Sequence, residues 1–403
     1  MSGSSKKSAP NLPKGWRQER LGRIMKFVNG YAFKPEDWEE KGLPIIRIQN
    51  LNDESASYNY YSGQVDERYY VRKGDILFAW SGTKGVSFGA RKWSKGLAIL
   101  NQHIFRVLPI KADADFCYYL LKGTQERIER NAHGFKSSFV HVTKGDLEKV
   151  TFPLPTLSEQ SKIAAALSAW DDSIHIASRL LEAKQLRKRS LMQHLLTGQT
   201  RLWGFENLWQ EVKLEEIFQR VQRKTRENIG IVLSISAKDG FVSQQEKFSK
   251  VIAGKNLAKY TLLKKGEFAY NKGNSGSFPC GCIYELETYD EAAVPNVYYC
   301  FKNRGRVDNE FYKHYFSYRL IDRQLTRRIN SGVRNDGLLN LNASDFFEVT
   351  VHCPPISEQR AIAAVLNAAD EEIRLAMEEI EVLQIQKRGL MTQLLTGQIL
   401  TTV

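Results

Sequence analysis

The sequence predicts an α/β (α+β) chain: two mixed α/β domains separated by two long repeat helices packed as an antiparallel coiled coil. Three observations predict it. Residues 158–199 return as residues 357–398, at a constant offset of 199 with no gap and with 22 of 42 positions identical. Apolar residues in both copies fall on alternating steps of four and three. The segments before the copies mix short β-type runs with a single helical stretch, so the chain is two half-chains built on one plan.

In the first copy the seam runs through Ile163, Leu167, Trp170, Ile174, Ala177, Leu181, Leu191 and Leu195, interrupted where Lys184 and Lys188 take seam positions. The second copy answers with Ile362, Leu366, Ala369, Ile373, Ala376, Ile380, Leu390 and Leu394. Pro155 and Pro355 precede the starts, Ser158 and Ser357 are the expected caps, and Gly198 and Gly397 supply the left-handed stops. Some 40 residues at about 1.5 Å each make a rod of roughly 60 Å, the length of a spacer. Residues 158–197 carry six Lys/Arg and four Asp/Glu, residues 357–396 four and seven. Opposite net charges suit the helices to each other. Pairing across a two-fold axis makes them antiparallel, with the globular halves expected at opposite ends.

The predicted boundaries are a disordered N-terminus at 1–10, a first domain at 11–155, a helix at 156–200, a second domain at 201–355 and a helix at 356–403. In the first domain LPIIRIQNL (43–51) and DILFAW (75–80) read as β-type runs, residues 114–132 as a helix, and VTFPLP as a closing strand. SGTKG (81–85) and HGFKSSF (133–139) read as loops. The second domain repeats the plan: WQEVKLEEIF matches WRQERLGRIM, KKGEFAYNKGNSG matches RKGDILFAWSGTKG, and a helix is expected near 310–328. The frame is duplicated and the loops are not, which suits two different reading surfaces on a common scaffold.

The net charge of +13 points to an anionic polymer as partner, since the repeat helices are nearly neutral together and the positive charge lies on the globular parts. No long apolar run and no apolar N-terminal core segment occur, so a cytoplasmic protein without a membrane span is expected. Five cysteines lack paired spacing, and Cys280-Gly-Cys282 alone does not make a metal set. No metal site is expected.

Catalytic signatures are missing. There is no G-x-x-x-x-G-K-[ST] phosphate loop, no Asn/Asp-Pro-Pro-aromatic motif and no glycine-rich cofactor loop after a buried strand. Glu211-Val-Lys213 lacks an upstream Pro-Asp partner, and His133 and His141 near Ser137 and Ser138 read as polar loop residues.

PTLSEQSKIAAAL with LMQHLLTGQ in the first half, and PPISEQRAIAAVL with LMTQLLTGQ in the second, resemble the specificity subunit of type I restriction-modification enzymes. The resemblance spans nearly the whole chain. It implies two target recognition domains, each reading one half of a split, asymmetric site in double-stranded DNA. It further implies a non-catalytic subunit that binds no cofactor itself. Two modification subunits would bring S-adenosylmethionine and methylate an adenine in each half-site; restriction subunits would bring ATP- and Mg-dependent translocation and cleavage. The alternative from the residues alone is a basic scaffold joining other proteins without sequence-specific DNA reading.

Base reading falls to polar and basic loop residues. The candidates are Trp80, Ser81, Thr83, Lys84, Lys136, Ser137 and Ser138 in the first half, and Asn271, Lys272, Asn274, Ser275, Arg334 and Asn335 in the second.

Overall fold

Each half opens and closes on one pair of strands. Arg17–Arg20 lies antiparallel to Thr151–Leu154, with Arg17 opposite Leu154, and Gln210–Lys213 lies antiparallel to Thr350–Cys353. The computed structural model describes residues 12–53, 55–131, 139–225, 229–243, 257–273, 278–329 and 338–401.

Both halves then build a four-stranded antiparallel sheet in the same order. In the first it runs Met25–Asn29, Ile104–Pro109, Ile76–Ala79, Gly89–Lys92; in the second, Phe218–Val221, Tyr299–Asn303, Phe268–Asn271, Cys282–Glu285. One face of each sheet is aromatic because its alternate residues are: Phe27, Phe78 and Phe105 are buried with Phe116, and Phe218, Phe268 and Phe301 with Phe311 and Phe316. Away from this frame the halves diverge. The first adds a sheet with a parallel pairing of Leu43–Ile46 and Ala98–Leu100, while the second has the hairpin Leu233–Ser236 and Gly240–Ser243.

Three expected elements end differently. The 43–51 run is a strand only over Leu43–Ile46; Ile48–Asn52 turns helical because the Asn50 side chain accepts the Arg47 N–H and donates to the carbonyls of Ala56 and Ser57. The 114–132 helix is two, Ala114–Gly123 and Gln125–Asn131, separated at Thr124, whose hydroxyl donates back to the Leu120 carbonyl at 2.7 Å. The 310–328 helix is also two, Asn309–Ser317 and Asp322–Arg328, with Arg319 at φ 65° between them.

The repeat helices run Leu157–Leu196 and Ile356–Thr396, 40 and 41 residues. They start one residue before the expected caps, so Ser158 and Ser357 lie in the first turn. Thr156 Oγ1 accepts the Glu159 N–H instead, at 3.4 Å. Gly198 and Gly397 end them at φ 71° and 73°; the first faces the Trp209 ring and the second Pro13 and Trp16.

By packing, residues 1–178 with 378–403 form one unit and residues 179–377 the other. In the first unit Ile163 and Leu167 are buried in a core that includes Leu394, with Leu390 against it, and Lys387 binds Asp171. In the second, Leu195 and Leu196 share a core with Ile362 and Leu366, with Leu191 against it; Lys188 binds Asp370 and Lys184 binds Glu372. One index falls as the other rises in both units, so the helices pair antiparallel in each. Of the remaining seam residues, Ala369 and Ala376 are buried and Trp170, Ile174, Ala177, Leu181, Ile373 and Ile380 half-buried, whereas Ile176, Leu180, Leu186, Leu375, Val382 and Ile385 stand exposed.

A buried glutamine joins each helix to its unit. Gln160 Oε1 accepts the Asp113 N–H at 2.9 Å and its Nε2 donates to the Pro155 carbonyl at 2.9 Å. Gln359 does the same with Asp308 and Pro354, at 2.8 and 2.7 Å. Asp113 and Asp308 in turn cap the next helices by accepting from Phe116 N and Phe311 N. Gln160→Leu or Gln359→Leu strands a backbone donor and a carbonyl, and is expected to destabilise the affected unit by about 1–3 kcal/mol, measured by urea unfolding.

Position 119 in the first unit corresponds to 314 in the second, six residues past each cap. Tyr119 donates to Asp171 at 2.8 Å; His314 Nε2 lies 2.7 Å from Asn367 Oδ1, with Nδ1 3.9 Å from Asp370. Burial pushes the His314 pKa below its ordinary value, and Lys188 and Lys313 push the same way against the Asn367 bond and Asp370. A lowered folded pKa means that the unfolded chain takes up the proton first. The stability from neutral His314 is therefore present above pH about 6.5 and falls as pH drops from there through the folded value. Hydrogen-exchange protection over 309–317, taken relative to the intrinsic exchange rate at each pH, is expected to fall with acidification in the wild type and to lose that component in His314→Gln.

Candidate nucleic-acid interface

In the first unit the strand Ser81–Thr83 pairs antiparallel with Phe139–His141, Ser81 opposite His141 and Thr83 opposite Phe139. Of the two segments named separately in the sequence, Ser81–Thr83 and Phe139 thus meet at one root. The second unit repeats the arrangement. Gly273 bridges Leu338, and the Leu339 N–H donates to the Lys272 carbonyl at 2.9 Å, so Lys272–Gly273 and Leu338–Leu339 also form one root.

Side-chain chemistry fixes the first root. Trp80 Nε1 donates to the Gln102 carbonyl at 3.2 Å, and its ring lies 5.3 Å from His103 and 5.9 Å from Phe105. Ser87 Oγ accepts the Thr83 N–H at 2.7 Å, while the Thr83 carbonyl accepts from Val86, Ser87 and Phe88. Arg91 spans the turn by donating to the Val86 carbonyl at 3.0 Å. Ser81, Thr83 and Lys84 are half-buried on this frame. Lys136, Ser137 and Ser138 lie outside the described residues.

In the second unit Asn271 Oδ1 accepts the Gly273 N–H at 3.0 Å and Nδ2 donates to the Ile235 carbonyl at 3.2 Å. Its amide is used in shaping the root. Lys272 is only 8% exposed, with Nζ 3.4 Å from the Tyr299 hydroxyl and 5.1 Å over that ring, so its charge is held inward by an aromatic face. Asn274, Ser275, Arg334 and Asn335 lie outside the described residues.

Sequence reasoning passed over a shallow cavity of about 200 Å³ beside Trp80, lined by Arg47, Gln49, Asn101 and His103 with Ile48 and Ile104. Arg47, Gln49, Asn101 and His103 are base-reading residue types; the first two come from the run 43–51 read as β-type, and the sequence reading assigned 101–104 to no element. The only available signal was the polar run after Ile46. Burial pushes the Cys117 and Cys300 thiols up to about 12 and Cys282 up to about 11, so these cysteines are protonated core residues at neutral pH. The carboxylates of Glu285, Glu287 and Glu310 lie close together among the described residues, with Lys313 bound to Glu287 and 3.5 Å from Glu310.

Residues 13–183 match the sequence model of the type I restriction modification DNA specificity domain. The chain is 24% identical to the type I restriction enzyme MjaVIII specificity subunit of Methanocaldococcus jannaschii, over 96% of this chain and 94% of that protein. It is 32% identical to the EcoBI specificity subunit of Escherichia coli over 43% of this chain and 36% of the other. Among solved structures, the S subunit of a type I restriction-modification system from M. genitalium superposes with a TM-score of 0.55 at 18% identity, covering 96% of this chain and 98% of that one. The HsdS subunit from Thermoanaerobacter tengcongensis gives 0.50 at 17%, covering 96% and 98%. The matched domain covers the first half of the chain, and over nearly its whole length the chain is similar in sequence and in fold to specificity subunits of type I restriction-modification systems.

Proposed function

We propose that this chain reads a bipartite, asymmetric sequence in double-stranded DNA, with residues 11–155 and 201–355 as target recognition domains and 156–200 and 356–403 as spacer helices. The observation that carries this is the repeated root: Ser81–Thr83 meets Phe139–His141 in one unit and Gly273 meets Leu338 in the other, while the sequences that continue from these points differ. The excess of positive charge supports phosphate contact. The chain is non-catalytic and works in the cytoplasm. Two modification subunits carrying S-adenosylmethionine, and restriction subunits using ATP and Mg, supply the chemistry; the exposed apolar residues of the repeat helices suit protein contact.

Mapping methylated adenines genome-wide in cells with and without this chain tests the reading. The expected result is loss of every site of one bipartite motif. Adenine methylation by the purified chain with S-adenosylmethionine alone would overturn the non-catalytic assignment. Lys84→Ala is expected to weaken binding evenly across sequences and to lower the salt slope by about 1, whereas Thr83→Ala is expected to relax one base position.

A further inference from the structure

The ion pairs on the helix seam fall into two classes. Lys188 with Asp370 and Lys387 with Asp171 are copies of one another, because 188 and 387, like 171 and 370, are equivalent positions of the repeat. Such a pair survives any exchange of partners: a first helix against another first helix would again set Lys188 against Asp171. It defines register and direction without defining which helix is the partner.

The contact at Glu372 is different. Its Oε2 accepts from Lys184 Nζ and Arg187 Nη2, both at 2.7 Å, and the two cations hold the carboxyl down to about 2. The equivalent positions are Ser173 for Glu372, Leu383 for Lys184 and Gln386 for Arg187. Ser173 Oγ donates to its own helix, to the Ala169 carbonyl at 2.8 Å. Two first helices paired together would leave two Lys184 and two Arg187 without a carboxylate; two second helices would leave two Glu372 without a cation.

We infer that Lys184, Arg187 and Glu372 determine partner choice, selecting first helix with second helix over self-pairing between chains, while the duplicated Lys–Asp pairs set only the register. This is a specificity device of the kind that charged flanking positions provide in coiled coils.

The test lets every pairing compete. A protease site is placed between Trp203 and Leu208, which are 99% and 90% exposed. The full chain is purified, nicked, unfolded and refolded with both halves present. A carbodiimide then joins touching amines and carboxylates, and the links are read by mass spectrometry. Links Lys188–Asp370 and Lys387–Asp171 report first-with-second pairing. Links Lys188–Asp171 and Lys387–Asp370 report self-pairing between chains, because within one helix those residues lie roughly 25 Å apart. The wild type is expected to give the first class in excess. Lys184→Leu, Arg187→Gln and Glu372→Ser together remove the charge asymmetry at these three positions and are expected to lower the pairing ratio roughly 5- to 30-fold. The exchange Lys184→Glu, Arg187→Glu, Glu372→Lys is expected to restore it. This triple variant with the wild-type ratio would overturn the inference. If that variant refolds too poorly to read, Glu372→Gln is read in its place against the same criterion.

Discussion

Arg201→Met is expected to lower the stability of the 179–377 unit by about 3–5 kcal/mol, the cost of leaving a buried carboxylate unpaired. Glu358 is fully buried, and Arg201 holds it with two bonds, Nε to Oε1 at 2.5 Å and Nη2 to Oε2 at 2.7 Å. Trp209 Nε1 donates to the same carboxylate at 3.0 Å, and the guanidinium lies 5.4 Å over the Trp209 ring. Removing the cation leaves one indole donor for a carboxylate out of water. Urea unfolding followed by Trp209 fluorescence reads the loss. Arg201→Met with Glu358→Leu is expected to be less destabilising than Arg201→Met alone, because the double variant buries no orphaned charge. Among the described residues the corresponding Glu159 carboxylate accepts from the Thr401 N–H alone, at 2.9 Å, so Glu159→Leu is expected to cost less.

Exchanging residues 11–155 for the matching half of a relative is expected to replace one half-site of the methylated motif completely and leave the other unchanged. Each frame carries its own root and its own core, and the glutamine contacts that attach it to the helix involve only the Asp113 backbone and Pro155. Sequencing of methylated adenines reads the result. A change in both half-sites would show that the two surfaces are read together.

The fold class was legible because it rests on periodicity. Steps of four and three mark a helix seam, and an ungapped repeat marks a duplicated plan; neither needs long-range information. The seam residues Ile163, Leu167, Ile362 and Leu366 are buried as that pattern requires. What the pattern does not encode is which polar groups are buried. Gln160, Gln359 and Glu358 sit in the same Ser-Glu-Gln turn and look solvated in sequence, yet their burial depends on partners up to 157 residues away. The candidate interface was legible as a set of segments and not as an arrangement. Nothing local in SGTKG indicates that Ser81 faces His141, since strand register is fixed by the rest of the sheet. Lys272 shows the same limit from the other side. A lysine beside a glycine-rich loop reads as an exposed cation, but Tyr299 supplies a face that keeps it inside.

The glutamine joint also bears on inheritance. It is the same at both helix starts, atom for atom, while the loops that leave the frames share little. Any half that presents a capping aspartate amide and a proline carbonyl at the right place meets the same glutamine. Crossovers between genes at the repeat would therefore join unlike halves without disturbing the glutamine joint.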